Sequence, residues 1–245
     1  MSMEVKDKHL PHPTNPTESL QPDQADLTSM PELELVFQEL VIEAYLTQME
    51  LFDPALLQQS RSVTQYALLI ARRHEFTPED ERKLEHSSLL HDLGMMCIDR
   101  RIITKRGKLT SRESQRIRTH PLDAVRILST FRFFEDVIPI IKHHHEWYDG
   151  TGYPDRLVGE EIPLMSRIIM IADAFVAMTS ERPYRAALTV NEALGIINEN
   201  QGTQFDPTLV PLFNTVVAED LPSSSLSEAC HVAFERLWRA VLAPS

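Results

Sequence analysis

Apolar side chains recur at every third or fourth position along most of this chain, the period of an α-helix with one buried face. Between Glu32 and Leu51 they fall at Leu35, Val36, Leu40, Val41, Ala44, Tyr45 and Met49. Between Pro54 and His74 they fall at Leu56, Val63, Tyr66, Ala67, Ile70 and Ala71. Asp53-Pro54 and Thr77-Pro78 each place a capping side chain ahead of a first-turn proline, so each starts a helix. The second of these helices runs into Leu89-Leu90-His91-Asp92-Leu93-Gly94, where Gly94 reads as the stop and leaves His91 and Asp92 at a helix end. Met95 to Leu109 loses the period and reads as an irregular basic connection.

Thr110-Ser111-Arg112-Glu113 has the spacing of a capping box, and His120-Pro121 restarts the chain as a helix through Leu128. A further helix is expected from Val137 to about Glu146, broken by a Gly-x-Gly-Tyr-Pro loop, and a long apolar one from Pro163 to Thr179. Weaker helices follow at about 190–199 and 207–216, and a last amphipathic one at 226–242. No paired runs of period two occur. The fold class is therefore all-α, a bundle of roughly eight or more helices.

The first 31 residues carry Pro11, Pro13, Pro16, Pro22 and Pro31 among polar neighbours, too little apolar surface to offset chain entropy. The expected division is a disordered tail over 1–31, an N-terminal helix over 32–52, a main domain over 53–218, and a linker with C-terminal helix over 219–245. The helix at 32–51 is a candidate for homodimerisation or for capping the bundle.

Composition adds exclusions. A net charge of −12 argues against nucleic acid and anionic membrane as partners, because both need basic surface. Two cysteines, Cys97 and Cys230, make no disulfide framework. With no signal-peptide core and no apolar run near the ~20 residues of a membrane span, the expected location is the cytoplasm.

The chemistry concentrates in His143-His144-His145-Glu146 and in His91-Asp92, with His120 between them and Asp173 beyond. Adjacent His-Asp and His-His pairs at helix ends diverge by about a quarter turn, so one member can bind an ion while the other reaches elsewhere. Imidazole and carboxylate donors suit iron, manganese, zinc or nickel, and a carboxylate can bridge two ions. Asp173 lies on an apolar helix face and needs a partner; Glu146 is placed to orient a liganding imidazole. His143 has no place in this pattern.

His91-Asp92-Leu93-Gly94, Gly107-Lys108-Leu109-Thr110, His120-Pro121, His144-His145-Glu146 and Asp149-Gly-Thr-Gly-Tyr-Pro154 resemble the HD-GYP domain, a subdivision of the HD phosphohydrolases. So do Ala172-Asp173, Ser180-Glu181-Arg182-Pro183-Tyr184-Arg185 and Gly202-Thr203-Gln204-Phe205-Asp206-Pro207, all in family order over about residues 55–216. The resemblance implies an HD-domain-like bundle extended by the N- and C-terminal helices. It implies a metal-dependent phosphodiesterase for the bacterial second messenger cyclic di-GMP, acting through iron or manganese.

The implied ligands are His91, Asp92, His120, His144, His145 and Asp173. Asp92 is the bridge: one ion takes Asp92, His120, His144 and His145, the other His91, Asp92 and Asp173. The resemblance implies that the ions would supply an activated water for attack on phosphorus, with His91 and Asp92 at the catalytic centre. Arg182 and Arg185 match positions that hold substrate phosphates, and Tyr153 in the signature loop is a candidate for substrate contact or for a protein partner.

Three positions depart from the family pattern. Gln59 stands where a histidine is usual, Met95 where the His-Asp-x-Gly-Lys motif has its lysine, and Val176 where a second aspartate follows the one matched by Asp173. The changes weaken the second ion site, remove a positive charge near the scissile phosphate and disfavour a third ion. The alternative to the enzyme is thus a degenerate domain that binds a nucleotide or a partner protein and catalyses nothing.

Overall fold

The computed structural model describes residues 31–181 and 186–220. The expected tail up to residue 30, the linker and helix 226–242, and both Arg182 and Arg185 lie outside the described residues. Within them the chain is helical, with one isolated bridge between Gln201 and Phe205. The helices are α1 (Pro31–Phe52), α2 (Pro54–Arg73), α3 (Pro78–Leu90), α4 (Arg100–Ile103) and α5 (Ser111–Ile117), then α6 (His120–Leu128), α7 (Ile138–Lys142), α8 (Leu164–Thr179), α9 (Val190–Glu199) and α10 (Leu209–Asp220).

The starts obey local chemistry. Asp53 caps α2 by accepting from the Ala55 N–H, Thr77 caps α3 from Asp80, and the Thr110–Glu113 capping box of α5 forms in both directions. The stretch after Gly94 is more ordered than its sequence predicts: a 3₁₀ turn over Leu93–Cys97 leads into the single turn of α4, capped by Asp99. Gly94 is not a left-handed stop. It lies inside that 3₁₀ turn, where a β-carbon would come within 2.0 Å of the His120 carbonyl oxygen and 2.6 Å of the Ala124 nitrogen. Its value is close approach of the turn to α6.

Two apolar clusters form the core. One joins α2, α8, α9 and α10 around Ile70, Phe175, Phe205 and Phe213; the other joins α1, α6 and the Phe134–Ile141 segment around Met49, Leu90 and Leu128. The helices α2, α3 and α7 give side chains to both, for example Leu84 and Ile140 to the first and Leu90 and Ile141 to the second. Leu90 and Ile141 are fully buried, each contributing roughly 1.5–3 kcal/mol. They pin the C-terminal ends of α3 and α7 at the seam between clusters, and from those ends His91 and His144 project.

The helix α7 is shorter than its sequence predicts, ending at Lys142 rather than near Glu146. His144 turns its Nδ1 onto the Ile141 carbonyl at 2.6 Å. That side-chain bond competes with continuation of the helix ladder.

Candidate metal centre

Three histidines share one anchoring device. The Nδ1 of His91 meets the Ser88 carbonyl at 2.7 Å, that of His120 the Ile117 carbonyl at 2.8 Å, and that of His144 the Ile141 carbonyl at 2.6 Å. Each partner lies three residues back, at the C-terminal end of α3, α5 or α7, among the carbonyls that a helix leaves unpaired. A carbonyl only accepts, so each Nδ1 is the protonated nitrogen. In a neutral ring so anchored Nε2 is left as the acceptor, and the Nε2 atoms of His120 and His144 are turned toward one another.

His120 Nε2 lies 3.3 Å from His144 Nε2 and 3.2 Å from Asp92 Oδ1. His91 Nε2 lies 3.4 Å from Asp92 Oδ2; it is buried and makes no hydrogen bond. The ring of His144 is 4.1 Å from that of His145, 5.0 Å from His91 and 5.2 Å from His120. Donor atoms converge within 4.8 Å in two groups, His120 with His144 and His145, and His91 with Asp92 and His144. An imidazole nitrogen serves one ion. A carboxylate can serve two, and the two oxygens of Asp92 face opposite sides of the cluster.

Lone pairs at these separations repel unless a proton or a cation lies between them. Burial, followed by the neighbouring histidines, holds His144 well below the ordinary imidazole range, and burial and then His120 do the same for His145. Both are thus neutral imidazoles at neutral pH, the form that binds metal. The orphaned His91 nitrogen, the facing acceptors and the His/Asp donor set fit a divalent cation.

Asp173 stands at the edge. Its Oδ1 is 3.9 Å from His91 Nε2, and it accepts the side-chain amide of Gln59 at 3.0 Å. It is outside both converging groups. Gln59 thus bonds to the carboxylate that its usual histidine counterpart would accompany as a ligand. Val176, 3% exposed, is part of the first apolar cluster. Met95 is half-buried on the 3₁₀ turn.

His143 faces away, its ring nitrogens meeting the Pro139 carbonyl and Asp155 at 2.8 and 3.0 Å. Glu146 corrects its sequence expectation. Its Oε1 accepts the backbone N–H groups of Asp155 and Arg156 at 2.6 and 2.9 Å. It fastens the signature loop instead of orienting an imidazole.

That loop is held from three sides. The Asp149 and Tyr148 N–H groups donate to the Thr203 and Gln204 carbonyls at 2.9 and 3.3 Å. Gly152 lies so close that a β-carbon would meet the Trp147 nitrogen at 2.2 Å. Tyr153 N–H reaches the His145 carbonyl at 3.1 Å, and its ring stacks on the His145 ring at 5.0 Å and 28°. Over the same ring, 4.8 Å from its centroid, lies the Arg118 guanidinium. Burial, then Asp92, pushes the Tyr153 phenol above its ordinary range, so its O–H is kept. Arg118 was not singled out from the sequence; its one signal was a cation two residues ahead of His120-Pro121.

A family model described as HD domain matches residues 47–209, and the chain belongs to the HD-domain family. Its His-Asp pair and Gly-Tyr-Pro loop make it an HD domain of the HD-GYP type. It is 36% identical over 189 residues to 3'3'-cGAMP-specific phosphodiesterase 3 of Vibrio cholerae, covering 77% of this chain and 40% of that protein. It is 41% identical over 144 residues to the cyclic di-GMP phosphodiesterase response regulator RpfG of Xanthomonas campestris, covering 58% of this chain and 38% of that protein. The chain thus spans about two fifths of the length of these curated relatives. Among solved structures, the cyclic GMP-AMP phosphodiesterase V-cGAP3 of V. cholerae superposes with a TM-score of 0.57 at 20% identity, over 73% of this chain and 48% of that one. That likeness shows the same helical fold. The family binds divalent metal, in keeping with the His/Asp cluster.

Proposed function

We propose that this chain is a metal-dependent phosphodiesterase of bacterial second-messenger signalling that hydrolyses cyclic di-GMP. The observation that carries the reading is the convergence of the ring nitrogens of His91, His120 and His144 around Asp92, each ring anchored through its Nδ1. The relatives named as cyclic di-GMP and 3'3'-cGAMP phosphodiesterases support a cyclic dinucleotide as the substrate class.

His91, Asp92, His120, His144, His145 and Asp173 would hold one or two ions, iron or manganese, with Asp92 shared. Such ions supply Lewis-acid polarisation of the phosphoryl group and a water acidic enough to attack at neutral pH. The chain does the rest. Helix-end carbonyls lock three imidazoles in one tautomer, so the donors are pre-oriented. The Tyr153 ring stacks on His145 and would shield that side of the cluster from bulk water. Arg182 and Arg185, at positions matched to phosphate-holding arginines, would grip the substrate's phosphates. Residues 53–218 form the catalytic domain in this reading.

No helix among the described residues is long and apolar enough to cross a membrane, and hydrolysis of an intracellular second messenger would take place in the cytoplasm. The helix α1 leaves Leu33, Leu35, Val36 and Leu40 exposed and would serve a homodimer. The signature loop would serve a protein partner.

The test is conversion of cyclic di-GMP to linear dinucleotide by protein purified under reducing conditions and loaded with iron or manganese, with 3'3'-cGAMP in parallel. Turnover should vanish in Asp92→Ala. Wild-type turnover no greater than that control would sink the reading, and nucleotide retained without turnover would make the domain a binding module.

A further inference from the structure

In a chain of net charge −12, several basic side chains of the neighbouring segments are paired with carboxylates. Arg101 pairs with Asp99, while Arg116 and Arg126 both pair with Asp123. Arg118 differs. It is exposed, no carboxylate among the described residues pairs with it, and its guanidinium carbon lies over the Tyr153 ring, 4.8 Å from the centroid. The same ring stacks on His145, whose donor atom converges with those of His120 and His144. Arg118, Tyr153 and His145 thus form one stack leading from solvent to the cluster.

A cation held over a ring face makes no hydrogen bond through that contact, so the guanidinium N–H groups stay available to phosphate oxygens, which they can take two at a time. On the 3₁₀ turn, where the family pattern has a lysine, Met95 brings no charge.

We propose that Arg118 is a phosphate-binding residue of this centre, presenting its N–H edge from the Tyr153 ring to the oxygens of a phosphodiester seated on the histidine cluster. The proposal rests on reading the centre as a phosphodiesterase site. It assigns to Arg118 the positive charge that Met95 lacks.

The probe is inorganic phosphate, titrated against the full chain loaded with manganese and followed by broadening of its phosphorus resonance, with bound manganese measured in every variant. Arg118→Ala should weaken phosphate binding by about tenfold to a hundredfold, the range for a hydrogen bond to a charged group, with manganese content unchanged. Arg118→Lys should fall between, retaining charge without the planar fork. Arg132→Ala, which removes an equal charge from a 94% exposed side chain paired with Glu135, should match wild type. Equal phosphate affinity in Arg118→Ala, loss of manganese from it, or no phosphate binding by manganese-loaded wild type would each overturn the proposal. If phosphate binding depends on Arg118 yet no cyclic dinucleotide is hydrolysed, the substrate reading falls and this assignment stands.

Discussion

The Gln59 side-chain amide donates to Asp173 Oδ1 at 3.0 Å, the same oxygen that stands 3.9 Å from His91 Nε2. A neutral donor thus occupies the carboxylate on the side of the centre where the family pattern places a further imidazole. Gln59→His should exchange that hydrogen bond for a metal donor. The expected outcome is more manganese bound per chain and retention against a chelator improved by about tenfold, the lower end of what ligand-sphere changes produce. Unchanged stoichiometry and retention would show that Asp173 takes no part in ion binding.

Gly94 tests how far the centre depends on close packing. The added methyl group of Gly94→Ala would meet backbone atoms of His120 and Ala124 at 2.0 and 2.6 Å. Backbone cannot swing aside, so α6 must shift and carry His120 with it. The expected cost is about 1–3 kcal/mol of stability, read by denaturant unfolding, together with weaker metal binding. A variant with wild-type stability and metal content would refute the contact.

The imidazoles predict a pH dependence. His144 and His145 are held well below 6.5 in the folded chain, chiefly by burial. Unfolded, they return to about 6.5 and take up protons that the folded state refuses. Their contribution is therefore fully present above pH 6.5 and is lost as pH falls below it, by about 1.4 kcal/mol per unit for each histidine. Bound cation acts in the same direction, because protons compete for the same ring nitrogens. Thermal unfolding and bound metal between pH 8 and 5.5 should fall together; a flat profile would contradict the neutral-imidazole assignment.

Glu146 is 1% exposed and receives two backbone N–H groups of the segment after the signature loop. Glu146→Ala strands both donors, at a cost of about 1–3 kcal/mol for a buried group left unsatisfied. Amide exchange should accelerate at Asp155 and Arg156 while the His91 end of α3 stays protected. Equal acceleration at both places would mean global destabilisation instead.

The helices were legible because their causes are local. Asp53, Thr77 and Thr110 cap within three residues, and the apolar period fixes which face of α2 or α8 is buried. The His-Asp and His-His pairs were legible as donor types. Two local readings nevertheless needed the third dimension. Gly94 proved to be a close-approach residue, and Glu146 a loop fastener, because their partners at His120 and Asp155 are not within one helical turn.

Residue type, the capped helix starts and the anchoring of the His91, His120 and His144 rings on carbonyls one turn back follow from interactions spanning three or four residues, so the sequence by itself determined them. What the tertiary structure decided is which lone pairs face one another, that Gln59 reaches Asp173 across 114 residues, and that Arg118 settles on Tyr153. Those contacts join separate helices, whose spacing is fixed by the packing of two apolar clusters and a glycine gap, and no periodicity within one helix encodes the distance to another.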